Sequence, residues 1–211
     1  MHTYKDLLQN NKDWVAQKLQ ESPHFFANLA KGQNPPFLLI GCSDSRKPLD
    51  TITKAEPGEL LIHRNIGNQV SLTDMNLLSV LEFGVEVLKV QHVIVCGHFG
   101  CGGIHSALTG KAPGLVENWT IAVKDLYLKH KESLDQISDF NDRMDKLAEI
   151  NVVHQIKNLC KTSILHKAFL AGHYPLLHGW VFDIYSGHVH ELKLPLKKWK
   201  NYGLLPPDYP E

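Results

Sequence analysis

Cysteine and histidine residues at two separate places in the chain could together bind a zinc ion. The first place is the pattern Cys42-x-Asp44-x-Arg46, and the second is His98-x-x-Cys101. Two thiolates and one imidazole suit zinc in tetrahedral geometry, and three protein ligands leave the fourth position open, as a catalytic site requires. Asp44 can fill that position or be held away from it by Arg46, whose guanidinium binds carboxylates in a fixed two-pronged geometry. The pattern therefore predicts a catalytic centre with one Zn²⁺ per chain.

The other two cysteines are predicted to be buried thiols. Cys96 continues the β-branched run 93–95, where a free cysteine usually behaves as a small apolar residue. Cys160 shares a helical face with Val152, Ile156 and Leu159. Neither is expected to bind the metal.

Short apolar runs predict the strands that would position these ligands. They are nearly continuous, as in strands that are covered on both faces of a largely parallel sheet, and they span 37–40, 60–62, 93–95 and 180–184. Helix-sized segments separate most of them, and the turn at Gly187 predicts a final antiparallel edge strand. Cys42 and His98 lie at the C-terminal ends of two of these strands, so both should reach the crevice at the carboxyl edge of the sheet.

The fold class predicted is α/β, a single domain with a mainly parallel central β-sheet, an antiparallel edge strand and flanking helices. Within 1–211 we expect an N-terminal helical arm (1–35, with an amphipathic helix at 7–19), an α/β core (36–200) and a tail (201–211). A helical insertion is expected near 115–160. Ser71 with Asp74 predicts a capping-box start for a crossover helix between the second and third strands.

Composition narrows the possible partners. Lysine plus arginine (22) balances aspartate plus glutamate (22), and no long block of one sign interrupts the sequence. This balance argues against a nucleic-acid or anionic-membrane surface and favours small molecules or self-association. The sequence shows no secretion signal and no apolar run near the roughly 18 residues of a spanning helix, so a cytoplasmic location is expected.

Three segments with their order and separation carry a family resemblance: 41–46 (GCSDSR), 63–68 (HRNIGN) and 96–103 (CGHFGCGG). Over nearly its whole length the chain resembles the β-class carbonic anhydrases. The resemblance implies a zinc lyase that converts carbon dioxide and water reversibly to bicarbonate and a proton. It implies Cys42, His98 and Cys101 as the zinc ligands, with Asp44 and Arg46 as the catalytic dyad.

The resemblance also implies a substrate pocket and an assembly. Gln33 resembles the family's substrate-side glutamine, and the amides of Gly102 and Gly103 would meet a substrate oxygen. Val70 and Phe83 would form an apolar wall for the uncharged gas. The family's architecture implies a homodimer, in which the N-terminal helix reaches the neighbouring chain, or a homotetramer.

The expected chemistry follows from the metal. Bound zinc lowers the pKa of its water to about 7, so hydroxide is available to attack carbon dioxide, and Asp44 could orient it. In an alternative closed state Asp44 itself is the fourth ligand. Family members that close carry a bicarbonate pocket of tryptophan, arginine and tyrosine, whereas only the arginine is kept here, as Arg64. Leu39 and Phe182 take the other places, which argues against bicarbonate inhibition through that pocket.

Other interpretations remain open at this stage. A structural zinc site, a thiol redox protein, and a carbon disulfide or carbonyl sulfide hydrolase on the same scaffold would share parts of the pattern. His63 and His105 are candidate proton shuttles, because imidazole titrates near neutral pH, or else ordinary packing and surface residues.

Overall fold

The computed structural model describes residues 2–210. The chain forms two compact units, one ending at Asn34 and the other beginning at Pro35. No helix in the described range is long and apolar enough to cross a membrane.

The first unit consists of helix α1 (Tyr4–Glu21) and the short helix α2 (Phe25–Leu29). Thr3 and Asp6 form a reciprocal capping box that begins α1. The rings of Trp14, Phe25 and Phe26 pack edge to face, with centroids 5.1–6.3 Å apart. The amphipathic helix predicted at 7–19 is therefore present and longer than expected.

The second unit is built on one five-stranded sheet. Its strands are β1 (Phe37–Cys42), β2 (Leu60–Asn65), β3 (His92–His98), β4 (Leu176–Phe182) and β5 (Val189–Glu191). Their order is β2-β1-β3-β4-β5, and all pair in parallel except β4 with β5, which pair antiparallel. The predicted fold class is confirmed.

Both predicted bounds of one strand were wrong. The predicted strand at 180–184 starts four residues earlier, at Leu176, and ends at Phe182. Asp183 begins the turn to β5, because its backbone oxygen accepts a hydrogen bond from Gly187. Ile184 therefore lies in the turn, although its apolar side chain resembled a strand residue.

Helices cover both faces of the sheet. They are α3 (Leu49–Thr53), α4 (Met75–Glu82), α5 (Gly102–Thr109), α6 (Leu115–Lys129), α7 (Lys131–Leu134), α8 (Phe140–Leu159), α9 (Ser163–Leu170) and α10 (Leu196–Asn201). A π-helical turn, Phe83–Val87, continues α4. Asp74, not the predicted Ser71, is the N-cap of α4, since its carboxylate accepts hydrogen bonds from the amides of Asn76 and Leu77.

Helix α8 is a layer of the core. Its apolar residues Val152, Ile156 and Leu159 are fully buried against the sheet in the largest apolar cluster, which also contains Val93, Val95 and Val181. The region near 115–160, predicted as a helical insertion, is helical, and its last helix packs on the sheet. Its apolar stripe packs on the sheet, and its charged face hid this role in the sequence.

Candidate metal centre

Three buried donor side chains meet at the carboxyl edge of the sheet. Cys42 ends β1, His98 ends β3, and Cys101 immediately precedes α5. Their donor atoms all lie within 4.8 Å of one another, and the two sulfur atoms are 3.9 Å apart. The parallel strands bring both parts of the sequence pattern together, as expected for ends that share one sheet edge.

The ring of His98 is oriented for a ligand role. Nδ1 lies 3.0 Å from the backbone oxygen of Phe99. Because a carbonyl oxygen only accepts, Nδ1 carries a proton, and Nε2 is the ring nitrogen that is available to a metal. Among the described residues, the buried Nε2 has no hydrogen-bond partner.

The two thiols contact each other through one hydrogen bond, in which either sulfur can be the donor. The hydrogen bond with Cys101 lowers the pKa of Cys42, and interactions with His98 and the Gly67 amide, 3.5 Å away, lower it further against the opposing effect of burial. The same contact and burial raise the pKa of Cys101. A single proton shared between two sulfurs is the expected metal-free state, and a divalent cation would favour its release.

Asp44 is held beside the donors by Arg46. The guanidinium donates from Nε to one carboxylate oxygen at 3.0 Å and from a terminal nitrogen to the other at 2.7 Å. These bonds, helped by the Arg46 amide and opposed by partial burial, hold the pKa of Asp44 well below its usual range. One carboxylate oxygen lies 3.8 Å from Nε2 of His98. An acceptor that is ionised at neutral pH therefore faces the donor cluster.

Two further basic residues fix the chain around Cys42. Arg64 on β2 donates to the backbone oxygens of Cys42 (2.9 Å) and Asp44 (2.6 Å). Lys47 is fully buried, and its amino group donates to the backbone oxygen of Cys96 at 2.6 Å. These bonds tie the loop after β1 to its two neighbouring strands.

Polar side chains of α8 hold the loop between β2 and α4. Asn151 donates to the backbone oxygen of Gly67 at 2.9 Å and accepts from Gln155 at 2.8 Å. Gln155 in turn accepts from the amide of Val70 at 2.8 Å. Since the Gly67 amide approaches the sulfur of Cys42, this polar ladder supports the donor geometry from the opposite side.

Two glycines allow the backbone around the site to pack closely. A Cβ atom at Gly97 would lie 2.7 Å from Val152 Cγ2, and one at Gly103 would lie 2.9 Å from Ile66 Cγ2. Both distances are shorter than van der Waals contact. The closeness of α8 to β3, and of α5 to the β2 loop, therefore requires glycine at these positions.

The donor set fits a zinc ion. Tetrahedral zinc with Zn–S bonds of about 2.3 Å separates two thiolate sulfurs by about 3.8 Å, and the observed separation is 3.9 Å. The unpartnered Nε2 supplies the nitrogen donor. The fold and these residues define the class of the protein, an α/β protein with a candidate catalytic metal centre at the carboxyl edge of its sheet.

The residues expected in the substrate pocket are more scattered. Val70 is buried in the main apolar core, whereas the Phe83 side chain is 41% exposed. Gly102 is exposed at the start of α5, and Gly103 is buried next to Gly67. Gln33 is exposed in the first unit. Their substrate contacts stay predictions.

The two candidate proton shuttles differ in their surroundings. His63 is buried in β2, burial lowers its pKa, and Nε2 lies 3.3 Å from the side-chain amide of Asn65. His105 is exposed on α5 and packs edge to face against Phe140. His105 has the solvent access that a shuttle needs, and both roles stay predictions.

The sequence interpretation missed the supporting residues Lys47, Asn151 and Gln155. Lysine, asparagine and glutamine are usually exposed, so their types gave no sign of burial. The available signal was helical spacing, because Asn151 and Gln155 alternate with the apolar stripe Val152, Ile156 and Leu159.

Comparison with known proteins gives a consistent result. A family model described as "Carbonic anhydrase" matches residues 37–189. A carbonic anhydrase of Emericella nidulans is 38% identical over 192 residues, which cover 91% of this chain and 84% of that protein. Among solved structures, a tetrameric β-carbonic anhydrase of Sordaria macrospora is 41% identical, with a TM-score of 0.85 over 90% of this chain and 96% of that one. CafA, a β-carbonic anhydrase of Aspergillus fumigatus, is 35% identical, with a TM-score of 0.88 over 96% and 98%.

The chain belongs to the β-carbonic anhydrase family. The match covers the strands and helices that carry all three donors, so the resemblance found in the sequence is confirmed together with the enzyme class.

Proposed function

We propose that this carbonic anhydrase hydrates carbon dioxide reversibly to bicarbonate and a proton, using one zinc ion held by Cys42, His98 and Cys101. The observation that carries this proposal is the convergence of three buried donors within 4.8 Å at the carboxyl edge of the sheet. Zinc at such a site supplies a hydroxide nucleophile near neutral pH.

The chain's own residues would position the reacting water. Asp44 is ionised and can accept a hydrogen bond beside the donor cluster, 3.8 Å from Nε2 of His98. Arg46 engages both carboxylate oxygens, which keeps Asp44 oriented and charged. We propose that Asp44 orients the water and that Arg46 restrains Asp44 from binding the metal.

Stopped-flow hydration of carbon dioxide, on protein of known zinc content, tests this function. We expect rapid hydration that is lost on thorough chelation and restored by zinc. Asp44→Ala and Arg46→Ala should keep the zinc but lose most of the rate. Cys42→Ser should lose the zinc, because a hydroxyl is a poor substitute for a thiolate.

Cys160→Ala is the matched control for the cysteine variant. Cys160 is also a buried free thiol, but it lies in the main apolar core and not among the donors. We expect it to keep both zinc and rate. Hydration unaffected by chelation would contradict the metal role, and hydrolysis of carbonyl sulfide or carbon disulfide without carbon dioxide hydration would replace the proposed substrate.

We also propose self-association as a dimer or tetramer. The Sordaria macrospora relatives are described as tetrameric. Within its own unit α1 buries no residue, and it exposes the apolar side chains of Leu7, Leu8 and Trp14. Sedimentation analysis should show an oligomer that Leu7→Ser/Leu8→Ser weakens, and a monomeric parent chain would refute the proposal.

A cytoplasmic location is proposed on the chemistry of the site. Two unoxidised thiols must remain available as ligands, and reducing compartments maintain them. Cell fractionation tests this location, and recovery in an oxidising compartment would exclude it.

A further inference from the structure

A basic cavity lies on the outer surface of the second unit. It has a volume of about 580 Å³, opens to solvent, and is lined by residues of α6, α8 and the segment 192–199. This volume falls within the usual range of small-molecule sites. None of the metal-centre residues lines it.

The charge of this cavity is strongly one-sided. Lys146 is paired with Glu149 at 2.8 Å, and Glu149 is the one acidic side chain in the lining. In the described part of the chain, no carboxylate pairs with the other four lining lysines, which are Lys129, Lys157, Lys193 and Lys198. Because the whole chain has no formal net charge, this excess of four positive charges is a local feature.

The floor of the cavity is apolar and aromatic. This floor is the apolar part of the cavity lining: Trp199 and Leu126 are buried, and Ile150 and Val153 on α8 are half-buried. His154 stands at its wall, where burial, and then the nearby lysines Lys161, Lys129 and Lys157, lower its pKa to about 4. At neutral pH this imidazole is uncharged and can accept or donate a hydrogen bond.

These two features select for a ligand with two parts. Several lysines around one cavity favour an anion with more than one negative charge, since a phosphate group can bind more than one ammonium. A bare inorganic ion would leave the apolar floor exposed to water, whereas an organic body of matching size would cover it. We propose that this cavity binds a soluble organic polyphosphate with an aromatic or apolar body, of the size of a nucleoside diphosphate.

Isothermal titration of the zinc-loaded full chain with ADP tests this site, using adenosine and pyrophosphate as probes of the two parts. We expect ADP to bind at one site per chain, and we expect its affinity to fall as the salt concentration is raised to about 0.15 M. Adenosine should show no measurable binding, and pyrophosphate should bind at least about tenfold more weakly than ADP.

Two double variants locate the binding. Lys129→Gln/Lys157→Gln removes two positive charges from the cavity and should lower the affinity for ADP at least about tenfold. Lys111→Gln/Lys124→Gln removes two exposed lysines that do not line the cavity, and it should bind ADP within about twofold of the parent. Zinc content and circular dichroism would show that both variants are folded.

Several results would overturn the proposal. An absence of ADP binding at millimolar concentration would exclude a specific site. An equal loss of ADP affinity in both double variants would exclude it as well. Equal affinity for pyrophosphate and ADP would exclude the organic body. If the protein does not bind ADP but sediments with phosphatidylserine vesicles, the ligand of the cavity lysines would be an anionic lipid surface instead.

Discussion

Replacing Asn151 with alanine should destabilise the second unit, because its side chain satisfies two buried polar groups. The change removes the donor to the backbone oxygen of Gly67 and the acceptor for Gln155 Nε2, both bonded at 2.8–2.9 Å. Each buried polar group left without a partner costs about 1–3 kcal/mol. Since Asn151 is 1% exposed, little water reaches the site, and we expect a loss of about 3 kcal/mol.

Unfolding in urea, measured on zinc-free protein, tests this value without a contribution from metal binding. Thermal unfolding should show a melting temperature lower by roughly 6–12 °C for a chain of this size. Asn141→Ala is the matched control, because Asn141 is an exposed asparagine on the same helix. It should change the free energy of unfolding by less than about 0.5 kcal/mol.

A second readout links stability to the metal site. The Gly67 amide lies 3.5 Å from Cys42 Sγ, so a displaced Gly67 should weaken zinc binding about tenfold or more in Asn151→Ala. An Asn151→Ala protein with parental stability and parental zinc affinity would refute the reasoning. It would show that the polar ladder supports neither the fold nor the donors.

Three further outcomes follow from packing and burial. Gly97→Ala places a methyl group 2.7 Å from Val152 Cγ2, so it should lower the free energy of unfolding in urea by about 1–3 kcal/mol. Adding Val152→Ala should recover part of this loss. An unchanged free energy of unfolding in the single variant would contradict the close packing. The pKa of His154 is about 4 in the folded protein against 6.5 for an exposed histidine, so the unfolded chain binds more protons and the free energy of unfolding falls as pH falls from 6.5 to 4. His154→Gln should flatten this dependence of stability on pH. Equal slopes in parent and variant would contradict the role of His154. Burial raises the pKa of Cys160 to about 12, so iodoacetamide at about pH 8 should leave this thiol unlabelled in the folded protein. Peptide mass mapping measures the labelling, and fast labelling of Cys160 would contradict the prediction.

The convergence of the donors could be predicted from the sequence for a definite physical reason. Cys42 and His98 lie within three residues of the ends of two apolar runs, and neighbouring parallel strands end at one edge of a sheet. Strand assignment and strand direction were therefore sufficient to bring these two residues together. Chemistry of this kind depends on residue type and spacing, which the sequence contains.

The supporting residues could not be predicted in the same way. Lys47 is fully buried, although lysine is almost never so in proteins, and its amino group finds its partner in the backbone oxygen of Cys96 on a neighbouring strand. Asn151 and Gln155 follow the helical spacing of the apolar stripe, but their residue types usually indicate exposure. Their partners are backbone groups of a distant loop, which no local pattern reveals.

The misplaced start of β4 has a similar origin. Leu176, Leu177, His178 and Gly179 lack the β-branched side chains that mark strands, whereas Trp180 and Val181 have strong strand preference. The neighbouring strand decides the outcome, since β3 pairs with β4 from Leu176 onward. Tertiary pairing thus overrides a weak local preference.

The bonds between α8 and the loop after β2 also have a consequence for motion. Because the Val70 amide donates to a side chain of α8, this amide can exchange its hydrogen with solvent only when the helix and the loop separate. The loop therefore has no small opening of its own at this point, and its rate of exchange should match that of the central α8 amides. Two segments far apart in sequence would open as one cooperative unit.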